Sequence, residues 1–549
     1  MERDEGEYAY AGQLILQGVP PYKEAYNMKL PGTYAAYALI MAVFGQTGSA
    51  IHIGLAIVNA ASIVFVFLIG SLILDEVAAV AAAICFALLS TSPSVLGLAA
   101  HATHFVVLPA LIGTYVLLNC LGNPTNLQPS TFNLQLFLSG LLFGIAFLMK
   151  QHGIFFGIFG LVYLLWSSLG RSPDRKRRRT GANRENRERV TNYQSLITNL
   201  CLYTVGFILP YSLTVLINWL AGVLPHFWFW TVSYAREYAF GGTQALGSDF
   251  IRSVAEAVIG PSLLLWVLPV VGVIVMWWDQ RGIADRGMRI AESGGERVKS
   301  KSEIPKGRFF LISFLLCSIG SVAIGLHFRN QYFLTLLPAL SLLAGLAVSR
   351  ASYVLKYERT IELFLAVPTL GLFGIGILAS VIGNAQYWIS MAPDEVVKDV
   401  YGTTLYAQAR TIAQQIRTNT SPSSRIAVIG SEPEIYFLSH RRSATGYIYT
   451  YSLMEAQRYA AKMQREMIQE IERSKPEYVV YVNDDYSWLA GLNSERLIFD
   501  WWTGYWNSNL DLVRTMNIGS RDADTALNPN GEPKTLILLK RRAEPRPGQ

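Results

Sequence analysis

The run SAIHIGLAIVNAASIVFVFLIGSLI at residues 49–73 contains no Asp, Glu, Lys or Arg, and its reading decides the fold. About twenty apolar residues suffice for an α-helix to cross the hydrocarbon of a bilayer. Just ahead of it stand RDEGEY at 3–8 and NMKLPG at 27–32, a carboxylate cluster and a lone lysine before the first span. Charge beside a bilayer is expensive, and where it persists it usually serves ion contact or chemistry.

Further apolar runs lie near 77–92, 105–120, 134–149, 152–168, 197–219, 257–277, 308–326, 331–349 and 360–383, which predicts about ten crossings. The stretch 31–45 is shorter, begins at Pro31-Gly32 and ends at Gly45, and reads as a re-entrant or interfacial helix. Composition agrees: apolar residues are 51% and charged residues 15% of the chain, against about 25% charge in a soluble domain. The net charge of +7 points at first to a nucleic-acid binder. The basic residues, however, gather in the loops between apolar runs, where they orient a membrane protein; nucleic acid is excluded as a partner. Cys85, Cys120, Cys201 and Cys317 all fall in or at the ends of apolar runs, so neither a disulfide framework nor a cysteine metal motif is expected.

Residues 171–189 carry nine basic side chains against three acids, 281–308 carry eight against four, and 350–359 add Arg350, Lys356 and Arg359. Placing all three on the cytoplasmic side puts both ends of a ten-span chain outside. The N-terminus is acidic and lacks an apolar signal segment, so its export predicts a further helix upstream of Met1. Past about Asn384 the character changes. Short β-rich runs at 426–430, 478–482 and 535–539 flank a helical segment at 452–474, which predicts an outer α/β domain over 384–549. Gly430-Ser431-Glu432-Pro433 is no dinucleotide fingerprint. The division is then a first external loop with interfacial helices at 1–48, a transmembrane bundle at 49–383 and this outer domain.

On that threading one face gathers the polar residues. Asp4 and Glu5 open an amphipathic helix that also bears Tyr8; acids in a first turn also simply suit the helix dipole. Lys29 sits before a Pro-Gly turn, where a snorkelling lysine is the plain alternative. Lys150-Gln151-His152 interrupts an apolar stretch and suggests a cavity lining. Arg329 and Tyr332 lie at the outer start of a span, and an arginine there can grip a phosphate bidentately or serve as an anchor. Trp228, Trp230, Tyr234 and Tyr238 read as an aromatic belt. His101 and His104 have ligand spacing on a helix, but no third ligand is near in sequence, which favours a structural role. Cations for a phosphate, a carboxylate for a proton and aromatics for a sugar are what an enzyme acting on a lipid phosphate requires.

DEGEYA at 4–9, GVPPY at 18–22 and KLPG at 29–32 together resemble the first external loop of glycosyltransferase family 39, within the C superfamily of polyprenyl-phosphate-sugar-dependent transferases. That family includes the protein O-mannosyltransferases and the lipid A aminoarabinose transferases. GIAFLMKQ at 144–151, QYFLTLLP at 331–338 and GSEPEIYFLSHRR at 430–442 are similar to family segments as well. The resemblance implies a multi-pass plasma-membrane enzyme whose active site and C-terminal domain are extracytoplasmic. It would take a sugar from a polyprenyl-phosphate donor and pass it, with inversion, to a lipid, polysaccharide or protein. It implies Asp4 as general base with Glu5 as runner-up, and Lys29 on the donor phosphate with Arg329 and Tyr332 as partners. Tyr8, Lys150 and Gln151 complete the expected donor site. Met28 stands where some members carry an acid, and Thr103-His104 where some carry a carboxylate, which leaves a divalent metal ion open. Two rivals remain: a flippase for a lipid-linked polar substrate, expected to show internal repeats, broken helices and mid-membrane charge, and an oligosaccharide ligase.

Overall fold

The computed structural model describes residues 1–122, 128–169, 182–241, 246–278, 304–357, 363–519, 527–528 and 531–543. Each of the ten expected spans is helical. Among the described residues, seven helices are long and apolar enough to cross a membrane: Gly48–Ile73, Ala102–Gly122, Pro129–Met149, Gln151–Leu169, Gln194–Leu220, Leu337–Lys356 and Leu363–Ser390. The run near 257–277 is instead a pair, Ile251–Val258 and Leu263–Trp277, bent by 110°. The runs near 77–92 and 308–326 form shorter apolar helices, Glu76–Ser90 and Gly307–Ala323. Most of the basic residues at 171–189 and 281–308 lie outside the described residues.

Ahead of the spans lie α1 (Arg3–Leu16) and α2 (Gly32–Phe44). The Glu2 carboxylate accepts the backbone N–H groups of Asp4 and Glu5, and Glu5 returns the bond to the Glu2 N–H, a reciprocal cap that fixes where α1 begins. The sequence suggested an amphipathic helix here; α1 is instead buried at nearly every position from Arg3 to Leu14, with Asp4 as the half-buried exception. It is enclosed because two bodies cover it, α2 on one side and the C-terminal unit on the other.

That unit holds a mixed five-stranded sheet of β1 (Arg425–Ile429), β2 (Arg442–Ser443), β3 (Tyr478–Asn483), β4 (Leu510–Asn517) and β5 (Thr535–Arg541), in the order β2-β1-β3-β5-β4. β1 pairs parallel with β2 and β3, whereas β5 runs antiparallel to β3 and β4. The three β-rich runs of the sequence are β1, β3 and β5. The expected helix at 452–474 is two helices, Tyr451–Met454 and Ala460–Ser474. One apolar core joins Tyr8, Tyr10 and Leu14 of α1 and Tyr37 of α2 to Ile426, Val428, Val480 and Leu536 of the sheet. The N-terminal helices are therefore packed into the C-terminal sheet, and the acids of α1 are held by both.

Candidate functional site

Burying α1 end-on leaves its acids facing inward, where each must find a partner. Lys29 supplies one. Its Nζ lies 3.0 Å from Asp4 Oδ1 and 2.6 Å from Glu7 Oε2, and 4.6 Å from the centroid of the Tyr8 ring. Tyr34 of α2 donates to the other oxygen of Glu7 at 2.7 Å. The lysine is presented by a constrained loop. Tyr22 donates to the Lys29 carbonyl at 2.9 Å, Asn27 accepts the Lys29 N–H at 3.2 Å, and Gln151 donates to the Met28 carbonyl at 3.0 Å. Burial alone would raise the Asp4 carboxyl, but the charges of Lys29 and Arg329 and the hydrogen bond from Lys29 hold it below the ordinary carboxylate range, so it is ionised at neutral pH. Glu7, with its burial less fully offset by Lys29, is pushed up.

Glu5 sits differently. One oxygen takes the Ala100 N–H at 2.7 Å and the His52 ring at 2.9 Å, and the other closes the helix cap. Every direction around this carboxylate is used, which suits holding the 100–101 segment against α1 better than taking up a proton.

Lys150 and Arg329 complete the cationic side. Lys150 breaks the backbone between Pro129–Met149 and Gln151–Leu169 in an extended conformation, and its Nζ lies 4.0 Å over the Tyr332 ring. Arg329 precedes the 3₁₀ segment Asn330–Thr335, which carries Tyr332. Neither cation has an ion pair or side-chain hydrogen bond among the described residues. Burial, and then repulsion from Lys29 and Arg329 set against attraction to Asp4, bring Lys150 down to about 7.

The structure thus brings together Asp4, Tyr8, Lys29, Lys150, Arg329 and Tyr332, with Gln151 as a clamp on the loop. It adds residues that the sequence did not mark. Glu7 is the shortest partner of Lys29. Tyr449, from the C-terminal unit, reaches Asp4 Oδ1 at 3.4 Å and faces Lys29 at 5.8 Å. Its sequence neighbours Tyr447 and Tyr451 give no signal that separates it. Trp230 and Tyr234, expected in an aromatic belt, are buried against the C-terminal unit: Trp230 packs on Tyr26 and Tyr447, and Tyr234 donates to Glu455. Of the four belt residues, Trp228 alone is largely exposed, and Tyr238 is half-buried beside His327 at 4.7 Å.

His101 gains the ligands that its sequence neighbourhood lacks. Its Nδ1 lies 3.7 Å from Asp4 Oδ2 and 3.9 Å from Glu2 Oε1, and both ring nitrogens are buried without a hydrogen-bond partner. Burial lowers its pKa to about 4, so the imidazole is neutral and can donate a lone pair. Ligand atoms of Glu2, Asp4 and His101 all fall within 4.8 Å of one another. Two carboxylates and an imidazole suit a divalent cation such as Zn²⁺ or Mn²⁺, and these three residues would hold it.

A paired carboxylate beside three cations thus lies at one end of a helical membrane bundle and is closed over by a mixed sheet, and the comparisons with known proteins agree with this architecture. Residues 29–178 match the family described as dolichyl-phosphate-mannose-protein mannosyltransferase, which bears out the resemblance to family 39. The fold is shared with ArnT from Cupriavidus metallidurans bound to undecaprenyl phosphate, at a TM-score of 0.57 and 13% identity, over 98% of this chain and 93% of that one. It is also shared with the oligosaccharyltransferase AglB from Archaeoglobus fulgidus in complex with an inhibitory peptide and a dolichol-phosphate, at 0.51 and 13%, over 98% and 72%. Comparison with curated proteins gives no match.

Proposed function

We propose that this chain transfers a sugar from a polyprenyl-phosphate donor to an extracytoplasmic acceptor, with inversion at the anomeric carbon. The observation that carries the reading is that Lys150 and Arg329 stand without anionic partners beside an Asp4–Lys29–Glu7 cluster. Three cations with two carboxylates leave the site short of negative charge, and a phosphate monoanion or dianion supplies it.

In this reading Arg329 and Lys150 hold the donor phosphate, and Tyr332 keeps Lys150 aimed at it. Lys29 is shared between the phosphate and Asp4. An Asp held this low is a poor base while Lys29 grips it. Arrival of the phosphate draws Lys29 away and restores basicity to Asp4 when an acceptor is in place. The acceptor hydroxyl or amine then attacks the anomeric carbon, its proton passes to Asp4, and the bond to the phosphate oxygen breaks with its electron pair. Polyprenyl phosphate leaves, its charge held by the three cations. A divalent ion on Glu2, Asp4 and His101 would add Lewis acidity near the acceptor.

The flippase alternative has one expected feature, the helix pair Ile251–Val258 and Leu263–Trp277 bent by 110°, but the gathering of Asp4, Lys29, Lys150 and Arg329 at one end of the bundle weighs against it. Transfer of a single sugar and of a preassembled chain share all of these features. The test is transfer of radiolabelled sugar from polyprenyl-phosphate donors to membrane extract. Asp4→Asn and Lys29→Ala should each lose about a hundredfold or more, with Glu5→Gln reporting as a loss of folded protein. Unchanged transfer in the first two would return the flippase to the front.

A further inference from the structure

The C-terminal unit holds a second cavity, of about 400 Å³, to which no residue of the membrane bundle or of α1 contributes. Helix Leu497–Asn509 crosses the sheet there. Trp502, Trp506 and Asn507 of that helix line the cavity together with Tyr481 and Asn483 of β3 and with Glu532. The Tyr481 and Trp502 rings stack at 5.0 Å with an interplanar angle of 16°, and Trp506 adjoins Trp502 at 5.8 Å.

One feature of this lining is costly to the fold alone, and two more bear on what it could bind. Trp502 is 4% exposed, yet its indole N–H has no hydrogen-bond partner among the described residues, and a buried donor left unpaired loses its hydration without compensation. The side-chain amides of Asn483 and Asn507 and the Tyr481 hydroxyl make no hydrogen bond among the described residues. The lining includes no lysine or arginine, and its one formal charge is the Glu532 carboxylate. Aromatic walls with free amides and hydroxyls, and no cation, do not suit a phosphate or an acidic ligand.

We infer that this cavity is a non-catalytic binding site for an uncharged saccharide. The C–H face of a pyranose packs on an aromatic ring, and its paired hydroxyls exchange donor and acceptor bonds with a side-chain amide. The volume suits one or two sugar rings, within the range of small-molecule sites. The side-chain amides of Asn483 and Asn507 both line the space such a ring would occupy. Binding here stands apart from the proposed transfer reaction: it would hold a glycan on the C-terminal unit whatever the chemistry at Asp4.

The experiment is saturation-transfer NMR on the full chain in nanodiscs, with chitobiose, mannobiose and maltose as neutral probes and glucose 6-phosphate as the anionic one. At least one neutral disaccharide should bind saturably, at about 0.1–10 mM for so small a ligand, and glucose 6-phosphate should not. Trp506→Ala should weaken binding tenfold or more, and Asn507→Ala, at an exposed position that the fold tolerates, about fivefold. Lys29→Ala should leave it unchanged. The site is overturned if no disaccharide saturates, if binding survives both Trp506→Ala and Asn507→Ala in folded protein, or if Lys29→Ala removes it.

Discussion

Lys150 is the residue whose chemistry is most sensitive to its surroundings. A lysine brought down to about 7 is cationic below that pH and increasingly neutral above it. Its contribution to phosphate binding is therefore present at pH 6 and lost as pH rises through 7 to 8, before bound phosphate can raise it again. Under the proposed function, kcat/KM for the donor should fall several-fold between pH 6.5 and 8.5. Lys150→Arg keeps its charge throughout that range and should flatten the profile. An unaltered profile in the arginine variant would remove Lys150 from the donor site. At this scale the sequence was informative where a short motif carried the residue, as at Asp4, Lys29 and Lys150. It was silent where partners are remote in the chain. His101 meets Glu2 and Asp4 across about a hundred residues, and Tyr449 reaches Asp4 across more than four hundred, so no local pattern could mark either.

The element that organises the site is α1, and its position depends on a close approach. A Cβ on Gly6 would stand 2.5 Å from the Glu434 backbone nitrogen and 2.6 Å from its Cα. Backbone cannot rotate aside as the tip of a side chain can, so Gly6→Ala must push α1 away from the helix Glu434–Ser439. Overpacking of this kind costs about 1–3 kcal/mol and would displace Asp4 relative to Tyr449 and Lys29. Gly48→Ala, whose added carbon meets only the tip of Met1 at 3.7 Å, is the matched control. Thermal unfolding of both and the transfer assay should separate them, with Gly6→Ala losing stability and at least tenfold in activity. Equal behaviour would show that α1 docks less tightly than these distances require. Hydrophobic periodicity and an acidic first turn predicted the existence of α1 but not its enclosure. Its mixed sequence of acids, tyrosines and small residues reads as amphipathic until the sheet that covers its second side is known.

At the scale of the whole molecule, one apolar core is shared between the N-terminal helices and the C-terminal sheet, and a strained ionic arrangement lies within it. Arg3 of α1 pairs with Glu432 at 2.7 Å, and Ser487 donates to the second oxygen of Glu432 at 2.8 Å. Glu434, two residues on, is fully buried with neither carboxylate oxygen hydrogen-bonded. Burial first, and then the charge of Glu432, push it up to about 8 against the partial relief from Arg3. At neutral pH Glu434 is therefore protonated in the folded chain and ionised in the unfolded one. With the folded pKa raised, the stability it permits is intact below the ordinary carboxylate range near 4.5. That stability is drawn down as pH rises and is fully lost above about 8. A shift of this size is worth on the order of 5 kcal/mol. Glu434→Gln removes the titration without changing the shape. The variant should match wild type near pH 5 and unfold at a temperature several degrees higher near pH 9. Because Arg3 and Asp4 are adjacent on α1, alkaline loosening of this contact would reach the Asp4–Lys29 cluster through the helix. Activity in wild type should then decline reversibly above pH 8 by a component that Glu434→Gln abolishes and Lys150→Arg does not. If the glutamine variant shows the same alkaline unfolding as wild type, Glu434 is not the group that couples the sheet to the active helix.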